Sequence, residues 1–205
     1  IGKSSDPYYR HQMGINEYEE AMDFVQKHFF IIYPKKDFRL PTLFERAEYL
    51  VRTKGINSLI IDPYNTVHHR MKAGEREDLY ISRFMSELKR FALDHSVSVN
   101  LVAHQVTPMK DEQGRYYKPD VNRIKGGGTF ADKADNVMFI WRPDRGLDYS
   151  STNVTFGSQK IKKQKLVGTP QEVCNIDFDV KEQRYYFNGV TPFVKVDEKR
   201  RGGSI

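Results

Sequence analysis

The sequence predicts an α/β fold in which a mainly parallel sheet is flanked by helices and closed by a C-terminal antiparallel hairpin. Over about the first 140 residues, short apolar runs alternate with stretches of helical period, as in parallel sheets covered on both faces. The remainder changes to strand-like runs without helical stretches between them. The length of 205 residues suits one domain, which we assign to residues 1–190, and we expect 191–205 to be a mobile tail.

The first half contains three helical stretches and three apolar runs. The first helix is predicted from Asn16 to about His28, because Asn16 and Glu19 resemble a capping box. The run "FFIIY" follows as a short buried strand. A second helix begins at Thr42 and ends at Gly55, which supplies a left-handed stop. The strand "SLIID", a long helix with one apolar face and the strand "VSVNLVAH" complete this half.

The second half contains four strand candidates, "NVMFIWR", "NVTFGSQKIKKQK", "EVCNIDFDV" and "RYYFN". No helical stretch separates the last three, so we expect them to pair antiparallel at the edge of the sheet. In the second candidate, strand alternation would place Lys163 and Lys165 on one face of an exposed edge, with Gln164 pointing away.

The composition favours an anionic partner and a reducing compartment. The net charge of +6 is typical of proteins that bind nucleic acid. The single cysteine, Cys174, excludes an internal disulfide, so we expect a cytosolic protein. No stretch is apolar enough to span a membrane, and no signal peptide is present. The chain does not begin with Met, which suggests an excised piece.

The stretch Gly2-Lys3-Ser4 matches the end of a phosphate-binding P-loop, whose full pattern is G-x-x-x-x-G-K-[ST] between a strand and a helix. Only these three residues of the pattern are present. Pro7 prevents a long helix from starting directly after Lys3. We therefore favour a basic turn before a helix.

Two polar residues follow predicted neighbouring strands. Asp62 ends the run "SLIID" and would be exposed at the carboxyl edge of the sheet, where α/β proteins bind ligands. It could orient a water bound to Mg²⁺, or it could cap a turn. His104 holds the corresponding place after "VNLVA", where it could bind a γ-phosphate or satisfy local backbone groups. The adjacent His68 and His69 lack a third ligand of suitable spacing, so we expect no metal there.

The segment from Gln105 to Lys125 has about twenty residues with little periodicity, which is typical of a functional loop. Its basic residues outnumber its acidic residues by only two. The run "KGGGT" closes the segment, and its glycines would let backbone N–H groups approach a phosphate; the alternative is a flexible turn. Downstream, four lysines occur without acidic neighbours, and they could serve only to solvate an edge strand: Lys160, Lys162, Lys163 and Lys165.

Together, these stretches resemble the RecA-like helicase domain of the DnaB/Twinkle family of ring helicases, which includes phage primase-helicases. "SLIIDPYN" resembles the Walker B motif, and "NLVAHQ" resembles the next strand motif with its phosphate-sensing residue. "RIKGGGTFADKADNVMFIWRPD" resembles the DNA-loop motif and the following strand. "KQK", with the downstream Gly168-Thr169 and "VCNIDFD", resembles the K-x-R finger and closing hairpin. Order and spacing agree across four motifs over most of the chain.

The resemblance implies a partial RecA-like P-loop NTPase core of an ATP-dependent replicative helicase in the cytoplasm of a bacterial cell or a phage-infected host. The full protein would form a hexamer or similar ring on single-stranded DNA and use ATP, or another NTP, with Mg²⁺. Asp62 would hold Mg²⁺ through water, His104 would sense the γ-phosphate and Arg142 would lie near the nucleotide. The residues expected to bind DNA are Lys110, Arg115, Lys118, Lys125, Gly126, Gly127 and Gly128.

The resemblance also assigns Lys163 and Lys165 to the nucleotide site of the neighbouring subunit. The family usually has arginine where Lys165 stands, and lysine lacks the planar fork of arginine. The P-loop lysine and the catalytic glutamate would precede Ile1, so this piece is expected to be inactive alone. Two alternatives stay open: a RecA-like recombinase or clock-type ATPase, and a nucleotide-independent DNA-binding or structural ring subunit.

Overall fold

The computed structural model describes residues 13–69, 71, 73–106, 109–124, 126–180 and 184–190, without the side chain of Cys174. Within these residues the helices are α1 (Ile15–His28), α2 (Leu40–Lys54), α3 (Glu77–His95), α4 (Gly127–Lys133) and α5 (Gln164–Val167). The strands are β1 (Ser58–Ile61), β2 (Ser98–Leu101), β3 (Asn136–Trp141), β4 (Asn153–Ile161), β5 (Glu172–Asp179) and β6 (Arg184–Phe187). The P-loop-like stretch at residues 2–4, Lys125 and the predicted tail lie outside the described residues.

The strands form two sheets. β1 and β2 pair in parallel, with Ser58 opposite Ser98 and Ile61 opposite Leu101. β3, β4, β5 and β6 form a second, antiparallel sheet in that order. The α/β class is confirmed, but a mainly parallel sheet is wrong for the described residues, because only two of their strands pair in parallel. The predicted antiparallel closure is observed and includes β3.

The apolar core lies between the parallel pair and helices α2 and α3. Leu59 and Ile61 of β1 are buried and alternate with exposed Ser58 and Ile60. One face of α3 supplies most of the partners, namely Tyr80, Ile81, Phe84, Leu88 and Phe91. This packing fixes the direction of β1 and therefore the position of the residue that follows it.

The boundaries of the first two helices follow local capping. α1 begins directly after Gly14, whose N–H donates to the Glu17 carboxylate at 2.9 Å, so the capping pair differs from the predicted Asn16 and Glu19. α2 begins at Leu40 and ends, as predicted, before Gly55 in the left-handed conformation at φ 64°. Both helices begin slightly before the predicted residues, and their extents otherwise agree with the prediction.

The segment 29–33, which was predicted as the strand "FFIIY", is not a strand. Ile31 is 93% exposed, whereas Ile32 packs against the core. A buried strand needs partners for its backbone N–H and C=O groups, but among the described strands β1 pairs only with β2. The segment therefore lies over the core without regular secondary structure, with Ile32 packed against the core and Ile31 facing solvent.

Candidate functional site

Asp62 and His104 lie at the same edge of the parallel pair. Asp62 directly follows β1, and His104 lies three residues after β2. The pairing continues beyond the strands, because the Val102 N–H donates to the Ile61 carbonyl at 2.9 Å. Both side chains are exposed, and neither forms a hydrogen bond or ion pair with another described residue. The placement predicted for these two residues is observed; their chemical roles remain a prediction.

An aromatic cluster supports the turn that follows Asp62. The Tyr64 ring packs edge-on against Phe84 and Phe130, with ring centroids 5.3 and 5.1 Å apart. The His69 ring contacts Tyr64 at 4.3 Å. Partial burial raises the pKa of the Tyr64 hydroxyl to about 12, so this hydroxyl stays neutral. The turn is therefore held to the core by ring packing.

Hydrogen bonds fix the orientation of His69 within this cluster. Nε2 lies 3.1 Å from the Tyr64 carbonyl oxygen, and Nδ1 lies 2.7 Å from the Tyr80 hydroxyl. A carbonyl oxygen only accepts, so Nε2 carries the proton and, in the neutral ring, Nδ1 accepts from Tyr80. Burial lowers the pKa of His69, which favours this neutral form. His69 thus supports the edge that carries Asp62.

No group of three metal-ligating side chains occurs among the residues that the structure describes. Mg²⁺ does not require such a cage, because it keeps several waters and binds through one or two carboxylates together with substrate phosphates. The exposed carboxylate of Asp62 fits that mode of binding. His69 is committed to Tyr64 and Tyr80, and His68 lies against Phe38, so the pair does not converge on a common point.

Arg142 follows β3 and is tied to its own sheet. Its Nη2 donates to the Ser151 carbonyl at 2.7 Å, while its buried Nε has no hydrogen-bond partner among the described residues. No ion pair or hydrogen bond within the described part of the chain joins Arg142 to Asp62 or His104. The structure therefore does not bring the third predicted nucleotide-site residue into contact with the other two.

The segment from Gln105 to Ile124 contains regular structure that its sequence did not predict. Residues 109–117 form a small hairpin, with Lys110 bridged to Tyr116 and the Tyr117 N–H donating to the Met109 carbonyl at 3.0 Å. Gly114 takes the positive φ of 82° that the hairpin turn requires. Hairpins with few residues on each side show too little alternation to be recognised by periodicity.

The hairpin is fixed to the turn after β3. The Tyr116 N–H donates to the Pro143 carbonyl at 3.1 Å, and the indole N–H of Trp141 donates to the Tyr116 carbonyl at 3.0 Å. A Cβ atom on Gly146 would lie 2.5 Å from the Gly114 carbonyl oxygen. These contacts hold the hairpin in one position against the antiparallel sheet.

Three of the predicted DNA-binding cations have partners within the protein. The partners are the Gly146 carbonyl for Lys110, Asp144 for Arg115 and Glu172 for Lys118. All three cations remain exposed, so a phosphate would have to compete with these partners for them. Lys125, the fourth, lies outside the described residues.

Arg123 was not among the predicted site residues. Its guanidinium lies over the Tyr117 ring at 5.5 Å, and it forms no ion pair with a described residue. A basic residue close to aromatic residues in the same loop is the signal that could have identified it.

The three glycines after Lys125 have different structural requirements. A Cβ on Gly126, which has φ 75°, would lie 2.0 Å from Ile81 Cδ1, and a Cβ on Gly127 would lie 2.3 Å from the Val121 carbonyl oxygen. At Gly128 nothing lies within 4 Å of the Cβ position. Close packing therefore explains glycine at the first two positions, and approach to a phosphate fits only the exposed Gly128.

The predicted finger lies at the end of the β4–β5 hairpin and is not a strand. β4 ends at Ile161, Lys163 precedes α5 and Lys165 lies within it. The strand alternation from which a common face for Lys163 and Lys165 was expected is therefore absent here. The chain must reverse here to pair β5 with β4, and the single helical turn before Gly168 makes that reversal.

Asp135 anchors the base of this finger. Its carboxylate accepts from Lys89 at 2.8 Å and lies 3.2 Å from the Lys162 ammonium. Its carbonyl also accepts from the Lys162 N–H at 2.9 Å. The hydrogen bond from Lys89, aided by Lys162, lowers the pKa of Asp135.

The tip itself projects into solvent. Leu166 and Val167 are 81% and 63% exposed. Neither Lys163 nor Lys165 forms an ion pair with a residue that the structure describes. The tip therefore presents two cations and two apolar side chains outward.

Comparisons with known proteins identify the family to which this chain belongs. The family model of the DnaB-like helicase C-terminal domain matches residues 9–186. The Twinkle homolog protein, chloroplastic/mitochondrial, of Arabidopsis thaliana is 31% identical over 134 residues, which are 64% of this chain and 18% of that protein. A probable plasmid replicative DNA helicase of Chlamydia psittaci is 26% identical over 134 residues, 65% of this chain and 28% of the relative. The chain thus spans less than a third of the length of either relative.

Two solved structures share the fold at 17% identity. One of them, an ATPase domain, has a TM-score of 0.63, over 83% of this chain and 58% of that chain. The other, a DnaB-like replicative helicase solved for its interactions with primase, has a TM-score of 0.65, over 88% of this chain and 43% of that chain. No described helix is long and apolar enough to cross a lipid bilayer. With a family match over most of its length, the chain belongs to the DnaB-like helicase C-terminal domain family, as its motifs predicted.

Proposed function

We propose that this chain is part of the ATPase domain of a replicative ring helicase that hydrolyses ATP and translocates on single-stranded DNA. The observation that carries the proposal is the placement of Asp62 and His104 at the carboxyl ends of adjacent parallel strands. Both side chains are exposed, and neither pairs with another described residue. Ligands of open α/β sheets bind outside the carboxyl ends of the strands. The nucleotide would therefore lie at this edge.

The chain's own residues have separate tasks at this edge. ATP with Mg²⁺ supplies the transferable phosphoryl group and neutralises charge on it. Asp62 would hold Mg²⁺ through one of its waters, and the aromatic cluster around Tyr64 would keep the carboxylate at a constant position. His104 hydrogen-bonds the terminal phosphate, and its backbone leads directly into the loop that is proposed to bind DNA.

A P-loop is needed in addition, and its full pattern does not occur in the 205 residues. We therefore expect the chain alone to hydrolyse no ATP. The test uses a longer protein in which a P-loop precedes this sequence. Asp62→Asn should lower kcat for ATP by about 10²-fold or more, which is the usual effect of removing one preorganised electrostatic contact.

A matched control for Asp62→Asn is Asp23→Asn, on the exposed surface of α1. It should leave ATP hydrolysis unchanged. Full activity of the Asp62→Asn protein, or turnover by the 205-residue chain alone that depends on Asp62, would refute the proposed nucleotide site.

DNA binding is assigned to the loop from Gln105 to Gly128. Lys110→Ala and Lys125→Ala should each weaken binding of single-stranded DNA equally for all sequences. Each should also reduce the slope of log affinity against log salt by about one unit. Lys27→Ala on α1 is the control. Unchanged affinity and slope over several salt concentrations would contradict the assignment.

The exposed tip of the β4–β5 hairpin is assigned to the nucleotide site of a neighbouring subunit. A cation inserted from a neighbour stabilises charge on the transferring phosphoryl group, and such fingers contribute roughly 10³–10⁵ in rate. Lysine should contribute less than arginine because it lacks the planar fork. Lys163 precedes the helical turn and Lys165 lies within it, so the two lysines are tested separately.

Mixed rings test this role. Lys165→Ala and Lys163→Ala subunits, each with intact Asp62, are mixed with Asp62→Asn subunits that retain both lysines. For the lysine that acts, the unmixed rings should be slow and mixing should restore hydrolysis. If mixed rings form and neither lysine variant shows this recovery, the role in the neighbouring site is wrong.

A further inference from the structure

A cleft opens between the 109–117 hairpin and the end of β3. It has a volume of about 590 Å³, within the roughly 300–1,000 Å³ that is usual for small-ligand sites. Its walls come from the hairpin, from the end of β3 with the turn after it, and from the start of β4. The residues that matter for its chemistry are Asp111, Arg115, Tyr117, Lys118, Trp141, Asp144 and Asn153.

The walls are aromatic and held in place. The Trp141 indole is oriented by its hydrogen bond to the Tyr116 carbonyl. Tyr117 is 48% exposed, and its backbone is fixed by the pairing with Met109. Two aromatic side chains with fixed backbones can receive a flat ring with little loss of conformational entropy.

Cations lie over aromatic rings around this cleft. Lys110 lies 5.0 Å from the Tyr116 ring centroid, and Arg123 lies 5.5 Å from that of Tyr117. Lys118 lies 5.8 Å from the Phe139 ring centroid. Positive grooves combined with aromatic faces are the composition of surfaces that bind single-stranded nucleic acid through stacked bases.

The centre of the cleft suits a neutral ring better than an anion. The carboxylate of Asp144 is paired with Arg115 at 3.4 Å and accepts from the Asn153 amide at 3.0 Å. Asp111, a second carboxylate, accepts from the Arg115 N–H at 2.8 Å. A phosphate placed among these carboxylates would be repelled, whereas it could contact Lys118 or Arg123 beside the cleft.

We propose that this cleft binds one unstacked base of single-stranded DNA, with the base against Tyr117 and Trp141 and the adjoining phosphates on Lys118 and Arg123. The inference rests on the proposed function, because it requires that DNA reaches this loop. The inference goes beyond the proposed function, because it makes part of the affinity for single-stranded DNA depend on the bases and not only on the phosphates.

Trp141 provides a direct signal, because it is the single tryptophan of the 205 residues. Oligo-dT of about ten nucleotides, within the usual site sizes of such surfaces, is titrated into the chain while Trp141 fluorescence is followed. We expect saturable quenching. An abasic oligomer of the same length and charge should bind about 5- to 150-fold more weakly, since one stacked base contributes about 1–3 kcal/mol, and should not quench.

Variants locate the effect. Tyr117→Ala should lose the advantage of oligo-dT over the abasic oligomer, and Tyr117→Phe, which keeps the ring, should retain it. Tyr49→Ala, at an exposed tyrosine of α2, is the control and should change nothing. The comparison of the two oligomers on the unmodified chain needs no variant, so the test stands even if Tyr117→Ala fails to fold.

The outcomes separate this inference from the proposed function. Equal affinity for oligo-dT and the abasic oligomer overturns the base site and leaves DNA binding by phosphates intact. If neither oligomer binds at low salt, both the base site and the proposed DNA binding are overturned. Quenching by dTMP at the same concentration as oligo-dT would assign the cleft to free nucleotides and overturn its assignment to DNA.

Discussion

The two sheets of the molecule are stabilised in different ways. The parallel pair packs against α2 and α3 through a continuous cluster of buried apolar side chains. The antiparallel sheet buries few side chains, chiefly Phe139, Val154, Thr155 and Arg184. Its connections to the rest of the chain run instead through polar groups, such as the amide of Gln159, which donates to the Pro119 carbonyl and accepts from the Val121 N–H.

The difference is consistent with the proposed function. A nucleotide bound at the edge with Asp62 and His104 would need strand ends that do not move, and apolar burial provides that rigidity. The 109–117 hairpin and the finger lie on the polar half, where, under the proposed function, exposed contacts can be exchanged for contacts with DNA or a neighbouring subunit. Substitutions should therefore have large effects on stability in the first half and small effects in the second.

The largest effect is expected at Phe84 of α3, which is 3% exposed. Phe84→Ala removes a ring that packs against Tyr64 and Tyr80 and should lower the free energy of unfolding by about 3–5 kcal/mol. Leu93→Ala, on the same helix at a 70% exposed position, should change it by less than about 0.5 kcal/mol. Urea denaturation measures both. Similar losses for the two variants would contradict an apolar core at this place.

The next effect separates two neighbouring glycines where the halves meet. Gly127→Ala places a Cβ against backbone atoms of Val121 and Asn122, at 2.3 and 2.6 Å, and should cost about 1–3 kcal/mol as overpacking does. Gly128→Ala meets open space in the first turn of α4 and should be neutral or stabilising by up to about 1 kcal/mol. Thermal unfolding of both variants checks this. If Gly128→Ala destabilised the protein as much as Gly127→Ala, the loss of stability would come from an effect on the helix that both positions share, and not from packing.

The apolar half is also the half that the sequence predicted best. Strand β1 and helix α3 were recognised because burial imposes a period on the residues themselves. The same burial pattern predicted that Asp62 and His104 follow the ends of two strands. The failure at 29–33 has the same origin, since an apolar run indicates burial but does not show whether a partner strand is present.

The polar half could not be predicted to the same depth. The partner of Lys118 is Glu172, 54 positions away, and no local pattern indicates a pairing over that distance. The hairpin at 109–117 is held by backbone groups, which are the same in every sequence. Charge counting therefore identified the loop but not which of its cations are already paired.

A smaller effect should appear with pH at His69. Partial burial lowers the pKa of His69, so below the usual value of about 6.5 the unfolded chain takes up a proton that the folded chain does not. The contribution of His69 to the free energy of unfolding should therefore be constant above pH 7 and should fall as the pH drops through about 6.5. The slope should be well below the limit of about 1.4 kcal/mol per pH unit, because solvent reaches the ring.

Urea denaturation between pH 7.5 and about pH 5 measures this slope. His69→Gln should flatten it, and His28→Gln, at an exposed position on α1, should leave it unchanged. An equal slope in the His69→Gln protein would assign the acid sensitivity to other groups. A flatter slope in the His69→Gln protein would show that burial in the apolar half sets the protonation of His69.

The smallest effect is expected at Asp135, which links Lys89 of α3 to Lys162 at the base of the finger. About half of the Asp135 side chain is exposed, so Asp135→Asn should lower the free energy of unfolding by no more than about 1 kcal/mol. The loss should nearly vanish in about 1 M salt, where screening acts over about 3 Å. Because its partners lower the pKa of Asp135, its contribution should be present above the usual value and disappear as the pH falls below about 4. Asp94→Asn is the control, because it removes an exposed ion pair whose two residues both lie within α3. A loss above about 2 kcal/mol, or one that salt does not reduce, would mean that the second half depends on a desolvated ion pair, and the contrast between the two sheets would then have to be abandoned.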